Sequence, residues 1–172
     1  MKNGTIYLKA LIHISLSSLG FLYLQCPAQV HKDEIIKTIF IKRDEIVTKF
    51  SNKTIFIRGE KVIYKDSSFS SNYITFNLKS NQLFLDNSDL VDITVDLSQV
   101  EKRANELFSF MQKLGVKAIS SEEKALGIDI QLYLPDNRKV LFVREPDKVK
   151  NSKWKDYISG LTKLNANWYY TQ

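Results

Sequence analysis

Through the middle of the chain, apolar and polar positions alternate in short runs. Thr54-Ile55-Phe56-Ile57-Arg58 and Lys61-Val62-Ile63-Tyr64-Lys65 flank Gly59-Glu60, a two-residue connection whose first member tolerates positive φ; this predicts a hairpin. A Ser-rich loop over 67–72 leads to Tyr73–Leu78, a turn at Lys79-Ser80-Asn81-Gln82, and Leu83–Asp86. Val91, Ile93, Val95 and Leu97 then alternate with Asp92, Thr94 and Asp96. That is the pattern of a strand with one buried face and one wet face.

Helical spacing takes over at Ser98. Val100, Ala104, Leu107, Phe108, Met111 and Leu114 form one apolar stripe. Ser98-Gln99-Val100-Glu101 reads as a capping box, and Gly115 stands where a left-handed residue ends a helix. Ser121–Leu126 reads as a short helical turn closed by Gly127. Ile128–Leu134 and Lys139–Arg144 around Pro135-Asp136-Asn137 predict a second hairpin. After Pro146, the residues Trp154, Tyr157, Ile158, Leu161 and Leu164 predict an amphipathic helix from about Ser152 to Leu164. The segment Asp33–Phe50 is two-sided: Ile35, Ile36, Ile39, Phe40, Val47 and Phe50 fall near helical spacing, whereas Thr38-Ile39-Phe40-Ile41 is β-branched. Helix is the reading adopted.

Strands joined mostly by short turns imply an antiparallel sheet. The expected fold is α+β, with about five to seven strands and two or three helices packed on one face.

The amino terminus has a different character. Lys2 and Lys9 are its only charges before Lys32, and Ala10–Leu24 is apolar apart from His13 and a few Ser. The run breaks at Pro27, and Cys26-Pro27-Ala28 offers small residues at the −3 and −1 positions of a signal-peptidase site. Residues 1–28 therefore read as a cleaved secretory signal and 29–172 as a single exported domain, periplasmic or extracellular. Two alternatives stand beside this. An uncleaved anchor would rest on a run shorter than the ~20 apolar residues a spanning helix needs. Lipidation of Cys26 would place Tyr23 and Gln25 where lipoprotein signals have Leu and a small residue.

Composition constrains the chemistry. The 172 residues include 25 Lys+Arg, 19 Asp+Glu and one Cys, with 44% hydrophobic and 26% charged residues. Removing residues 1–28, and Lys2 and Lys9 with them, leaves 144 residues with 23 basic against 19 acidic side chains, a net +4. That is enough chain for a hydrophobic core, and too mild a charge for the signature of nucleic-acid binding. Under the expected cut no Cys remains, so no disulfide can support the fold. His31 alone remains of the two His, close to the new terminus. A Ser-His-Asp or Cys-His catalytic unit needs a rigidly held base, and zinc needs a cluster of Cys, His or carboxylate ligands. No Gly-rich phosphate loop, dinucleotide fingerprint or EF-hand spacing occurs. No catalytic residue, metal ligand or cofactor site is assigned. Asp92 and Asp96, four apart on the expected strand, would lie roughly 13 Å apart at ~3.3 Å per residue, beyond the usual range for paired carboxylates. Asp129 reads as a solvated outer-face residue.

Positive charge gathers late. Lys148, Lys150, Lys153 and Lys155 surround Trp154 and Tyr157, and Trp168, Tyr169 and Tyr170 follow. Cations beside rings suit anionic glycans, lipid headgroups or nucleic acid through charge, stacking and cation–π contact. The same spacing also fits a buried stripe with wet lysines, and Trp168-Tyr169-Tyr170 fits either a last strand or an exposed aromatic patch. The expected function is non-catalytic binding of a protein or an anionic glycan or lipid of the envelope. A carboxylate-dependent polysaccharide hydrolase, and an envelope assembly factor pairing through a sheet edge, are the alternatives.

Overall fold

The computed structural model describes residues 27–69, 72–86 and 96–172. The chain divides into two units after Lys37. Of the first, the described part is helical, the opening of helix α1 (Pro27–Ile41). All packing discussed below belongs to the second unit, from Thr38 onward.

That unit carries helix α2 (Arg43–Phe50) and strands β1 (Lys53–Arg58), β2 (Lys61–Asp66), β3 (Ile74–Lys79) and β4 (Gln82–Leu85). Helix α3 (Leu97–Leu114) follows, then β5 (Ala118–Ser120), β6 (Ile130–Tyr133), β7 (Lys139–Phe142), helix α4 (Ser152–Ser159), β8 (Thr162–Lys163) and β9 (Trp168–Tyr170). The strands form one antiparallel sheet in the order β4-β3-β2-β1-β5-β6-β7-β9-β8.

The turns follow from local chemistry. Arg58 pairs with Lys61 across Gly59-Glu60, and Gly59 takes φ 62°, as the hairpin requires. Lys79 pairs with Gln82 across Ser80 (φ 47°) and Asn81 (φ 62°), a doubly left-handed turn that Asn favours. Asn137, at φ 69°, closes the β6–β7 hairpin.

Directly opposed residues share a face, so the pairing register sorts the side chains. Ile55, Tyr64, Ile74, Ile119, Leu132 and Val140 lie on one face. All are buried, and the stripe Val100, Ala104, Leu107, Phe108, Met111 and Leu114 of α3 is buried with them. α2 lies beside α3, with the rings of Phe50 and Phe110 stacked at 6.0 Å. Burying a side chain such as Phe108 contributes about 1.5–3 kcal/mol, so this layer supplies most of the core.

The α+β class and antiparallel sheet are as expected, but several details differ. Among the described residues nine strands form, more than the five to seven expected, and β5 and β8 were not foreseen because three and two residues are too short to show a pattern of their own. The 33–50 segment is helical, as two helices. The last helix ends at Ser159 because Gly160 stops it, and Thr162–Lys163 joins the sheet instead of extending the helix. The helices do not share one face. Ile158 of α4 and Val149 pack with Ile128, Leu141, Val143 and Tyr169, and Leu141 points away from Val140 and Phe142. α4 thus covers the opposite face at the β6–β9 end. Of the expected strand over 91–97, residues 91–95 lie outside the described residues, Asp92 among them. Leu97 begins α3 and Asp96 caps it: the Ser98 amide and hydroxyl donate to Asp96 Oδ1 at 3.0 and 2.7 Å. The capping box is therefore not used. Its Glu101 accepts instead from the Leu85 amide of β4, at 3.2 Å.

Candidate functional site: a cationic cleft

Among the nominated residues, the structure brings Lys148 and Lys150 together. They line a cleft of about 480 Å³ with Lys124, Arg144, Asp129, Glu145, Gly127 and Asn151. Three segments build it. The short 3-10 turn Glu122–Leu126 supplies Lys124, the end of β7 leads to Arg144, and a second such turn at Pro146–Lys148 carries the chain into α4. Gly127 closes the first turn at φ 97°, and a Cβ there would meet Val149 Cγ2 at 3.0 Å. That close approach docks the turn onto the α4 connection, so Gly127 is needed for both its conformation and its size.

The charges are partly paired. Arg144 Nε lies 3.5 Å from Asp129 Oδ1, and the Arg144 amide donates to Asp129 Oδ2 at 2.8 Å. Lys148 Nζ lies 2.8 Å from Glu145 Oε1; this hydrogen bond holds the ammonium above its ordinary pKa. Lys124 Nζ donates to Asn52 Oδ1 at 2.8 Å, and Lys150 has no ion-pair partner among the described residues. Four cations against two carboxylates leave the cleft at +2. Asn151 caps α4 by accepting from the Trp154 amide at 3.2 Å, so the positive end of that short helix also borders the cleft.

The other nominated residues go elsewhere. Lys155 lines a separate depression with Lys163, Asp147 and Tyr169, and Lys153 is exposed on α4 outside both. Trp168 and Tyr169 do not form an exposed patch. They are 3% and 7% exposed as strand β9, with Phe142 and Trp168 rings 5.1 Å apart and Tyr169 in the cluster under α4. Tyr170 is half-buried, opposite Val140. Strand pairing wins here because two of three consecutive rings have a covered face to enter. Sequence reasoning missed Lys124 as a residue of the same cleft as Lys148, since 23 residues intervene between them; the Gly127 that docks its turn was the available signal.

A second concavity, of about 350 Å³, lies on the uncovered half of the sheet, lined by Phe56, Ala118, Ser120, Tyr133, Lys117, Glu122 and Glu123 among others. Glu122 is taken up by the Tyr73 hydroxyl, which donates to it, and by Lys65 Nζ at 3.3 Å. The Ser120 hydroxyl donates to Glu123 at 3.3 Å. Burial and the bond to Glu122 push Tyr73 up to about 12, and burial raises Tyr133 as well, so both phenols are neutral at physiological pH.

Among the described residues there is no group of three or more His, Cys, Asp or Glu placed to hold a metal, and no helix long and apolar enough to cross a membrane. Compared with known proteins, the chain matches no family model, no curated protein and no solved structure.

Proposed function

We propose that the chain is a small exported, non-catalytic protein that holds an anionic envelope component in the cleft of Lys124, Arg144, Lys148 and Lys150. The observation that supports this is the convergence of four cations from three segments around one concavity, with Lys150 unpaired among the described residues. The recognised chemistry is a phosphate or carboxylate, which lipid headgroups and acidic glycans share. Arg144 and Lys148 exchange internal carboxylate partners for the ligand's, a near-balanced trade that favours modest, salt-sensitive affinity.

The edge-pairing reading has little to work with. The β4 edge is occupied by side chains of α3, and β8 at the other end is two residues long. For the hydrolase reading, Asp96 is engaged as a helix cap and Asp129 with Arg144.

The test measures retention of the full chain by phosphatidylglycerol and phosphatidylcholine vesicles, and its binding to soluble polygalacturonate, at low and high salt. Binding to an anionic probe that is lost in Arg144→Gln/Lys148→Gln/Lys150→Gln, and kept in the distant Lys61→Gln/Lys79→Gln, is the expected result. Equal behaviour of the two variants would sink the proposal. Vesicle-only binding identifies lipid, and polygalacturonate-only binding identifies glycan. Amino-terminal sequencing of the protein from its host checks export: a start at Gln29 is expected, and a start at Met1 would remove it.

A further inference from the structure

On the sheet face that α4 partly covers, the register places an ordered row of side chains running away from Leu141. Lys65, Thr54, Ser120 and Gln131 are successive cross-strand neighbours in one row. The adjacent row runs Thr75, Ile63, Phe56, Ala118, Tyr133 and Lys139. Gln131 is 1% exposed, yet its Nε2 has no hydrogen-bond partner, although its Oε1 accepts from the Tyr133 hydroxyl at 3.4 Å. Buried amide donors are almost always paired, so this one calls for an explanation. Gln131 itself does not line the 350 Å³ groove: it stands between Leu141, in the cluster under α4, and Ser120, which with Tyr133 belongs to the groove's lining.

We infer that this groove is a second binding site, separate from the cationic cleft, and that its ligand is a neutral saccharide. Three features of the groove select that chemistry together. Phe56, edge-on to Tyr73, and Tyr133 are half-buried rings in its lining, which suit the C–H face of a sugar. Glu122 and Glu123 are acceptors for hydroxyl protons, while Lys117, whose Nζ also donates to Asn137 Oδ1, is a donor for hydroxyl oxygens. Donors and acceptors are mixed and the charge is nearly balanced, with Lys65 already on Glu122 and Lys139 Nζ 5.0 Å from the Tyr133 ring. An anion would meet the two glutamates, and a cation would meet the lysines. A ring of hydroxyls satisfies both sets. Glu122, fixed by Lys65 and Tyr73, acts as a hydrogen-bond acceptor and positions the ligand without reacting with it.

Isothermal titration of the full chain with cellohexaose, maltohexaose and chitohexaose tests this. At least one is expected to bind, with affinity falling about tenfold or more in Glu123→Gln and in Tyr133→Ala, a loss of about 1.4 kcal/mol or greater. Thermal melting confirms that each variant is folded, and Glu123→Gln carries the test should Tyr133→Ala fail to fold. Arg144→Gln/Lys148→Gln is expected to leave this binding unchanged, which separates it from the anionic cleft. The inference is overturned if none of the three binds, if binding survives Glu123→Gln, or if it is lost instead with Arg144 and Lys148.

Discussion

Asn105 of α3 closes the β4 edge of the sheet through Leu83: the Leu83 amide donates to Asn105 Oδ1 at 2.8 Å, and Asn105 Nδ2 donates back to the Leu83 carbonyl at 3.0 Å. One side-chain amide imitates the next strand, and Glu101, one helical turn earlier, does the same for the Leu85 amide. An edge strand with free backbone groups is a template for association, and these two residues remove it.

Asn105→Ala should therefore lower stability by about 1–3 kcal/mol, since a donor and an acceptor in a part-buried place lose their partners. Urea unfolding is expected to show a lower midpoint with an unchanged slope. Size-exclusion chromatography should show concentration-dependent association that the parent lacks. An unchanged midpoint would mean that water serves this edge equally well.

Asp96, and not Ser98, caps α3. Replacing Ser98 by Ala keeps the backbone amide that Asp96 accepts from, so its melting temperature should stay near the parent's, whereas Asp96→Ala should melt clearly lower. The Ser98 hydroxyl and amide hold the Asp96 carboxyl below its ordinary pKa. A lowered carboxyl pKa contributes stability above the unfolded value, about 3.9, and loses it as pH falls through the folded one. The gap between parent and Asp96→Ala is thus expected to be full near neutrality and to narrow in acid. A gap that widens in acid would reverse the assignment.

Asp66 is the most deeply enclosed carboxylate described in the sheet, 2% exposed. It accepts from the Ser68 hydroxyl at 2.6 Å, the Ser68 amide at 3.0 Å and the Tyr64 hydroxyl at 3.2 Å, with Lys53 Nζ at 3.9 Å. Asp66→Ala strands all four and should cost about 3 kcal/mol or more, whereas Tyr64→Phe removes one bond and should cost about 1 kcal/mol. Denaturant melts of the two variants check the order, and equal losses would contradict it.

Tyr73 titrates late, at about 12, first because it is desolvated and then because its hydroxyl donates to Glu122. A raised phenol contributes stability that is complete below the unfolded value, about 10, and is lost as pH climbs to the folded one. Ultraviolet absorbance titration of Tyr73→Phe should lack one late phenol, and Glu122→Gln should bring it earlier. A curve unchanged by Glu122→Gln would remove that hydrogen bond from the account.

How much of this was legible in the sequence depends on the distance over which each decision is made. Gly59-Glu60 sits inside its own hairpin, and the stripe from Val100 to Leu114 repeats along one helix. Both were read correctly because the residues that decide them are neighbours. Glu101 shows the limit: its spacing from Ser98 fits a capping box, but Asp96 takes the cap, and a β4 amide 16 positions earlier takes the carboxylate. The late lysines divide the same way. Lys148 and Lys150 meet Lys124 and Arg144 only because Gly127 lets its turn approach Val149, whereas Lys153 and Lys155 are carried elsewhere by α4.

Taken alone, the sequence determined the α+β class, the antiparallel hairpins and the α3 helix with its Gly115 stop, because periodicity and turn residues are local properties. Tertiary structure decided that α4 crosses to the other face, that Trp168 and Tyr169 are core, and which charges share a cleft. Those outcomes depend on which apolar surfaces remain uncovered once the sheet has formed. No local pattern records that, because burial is a property of the assembled layers and not of any one segment.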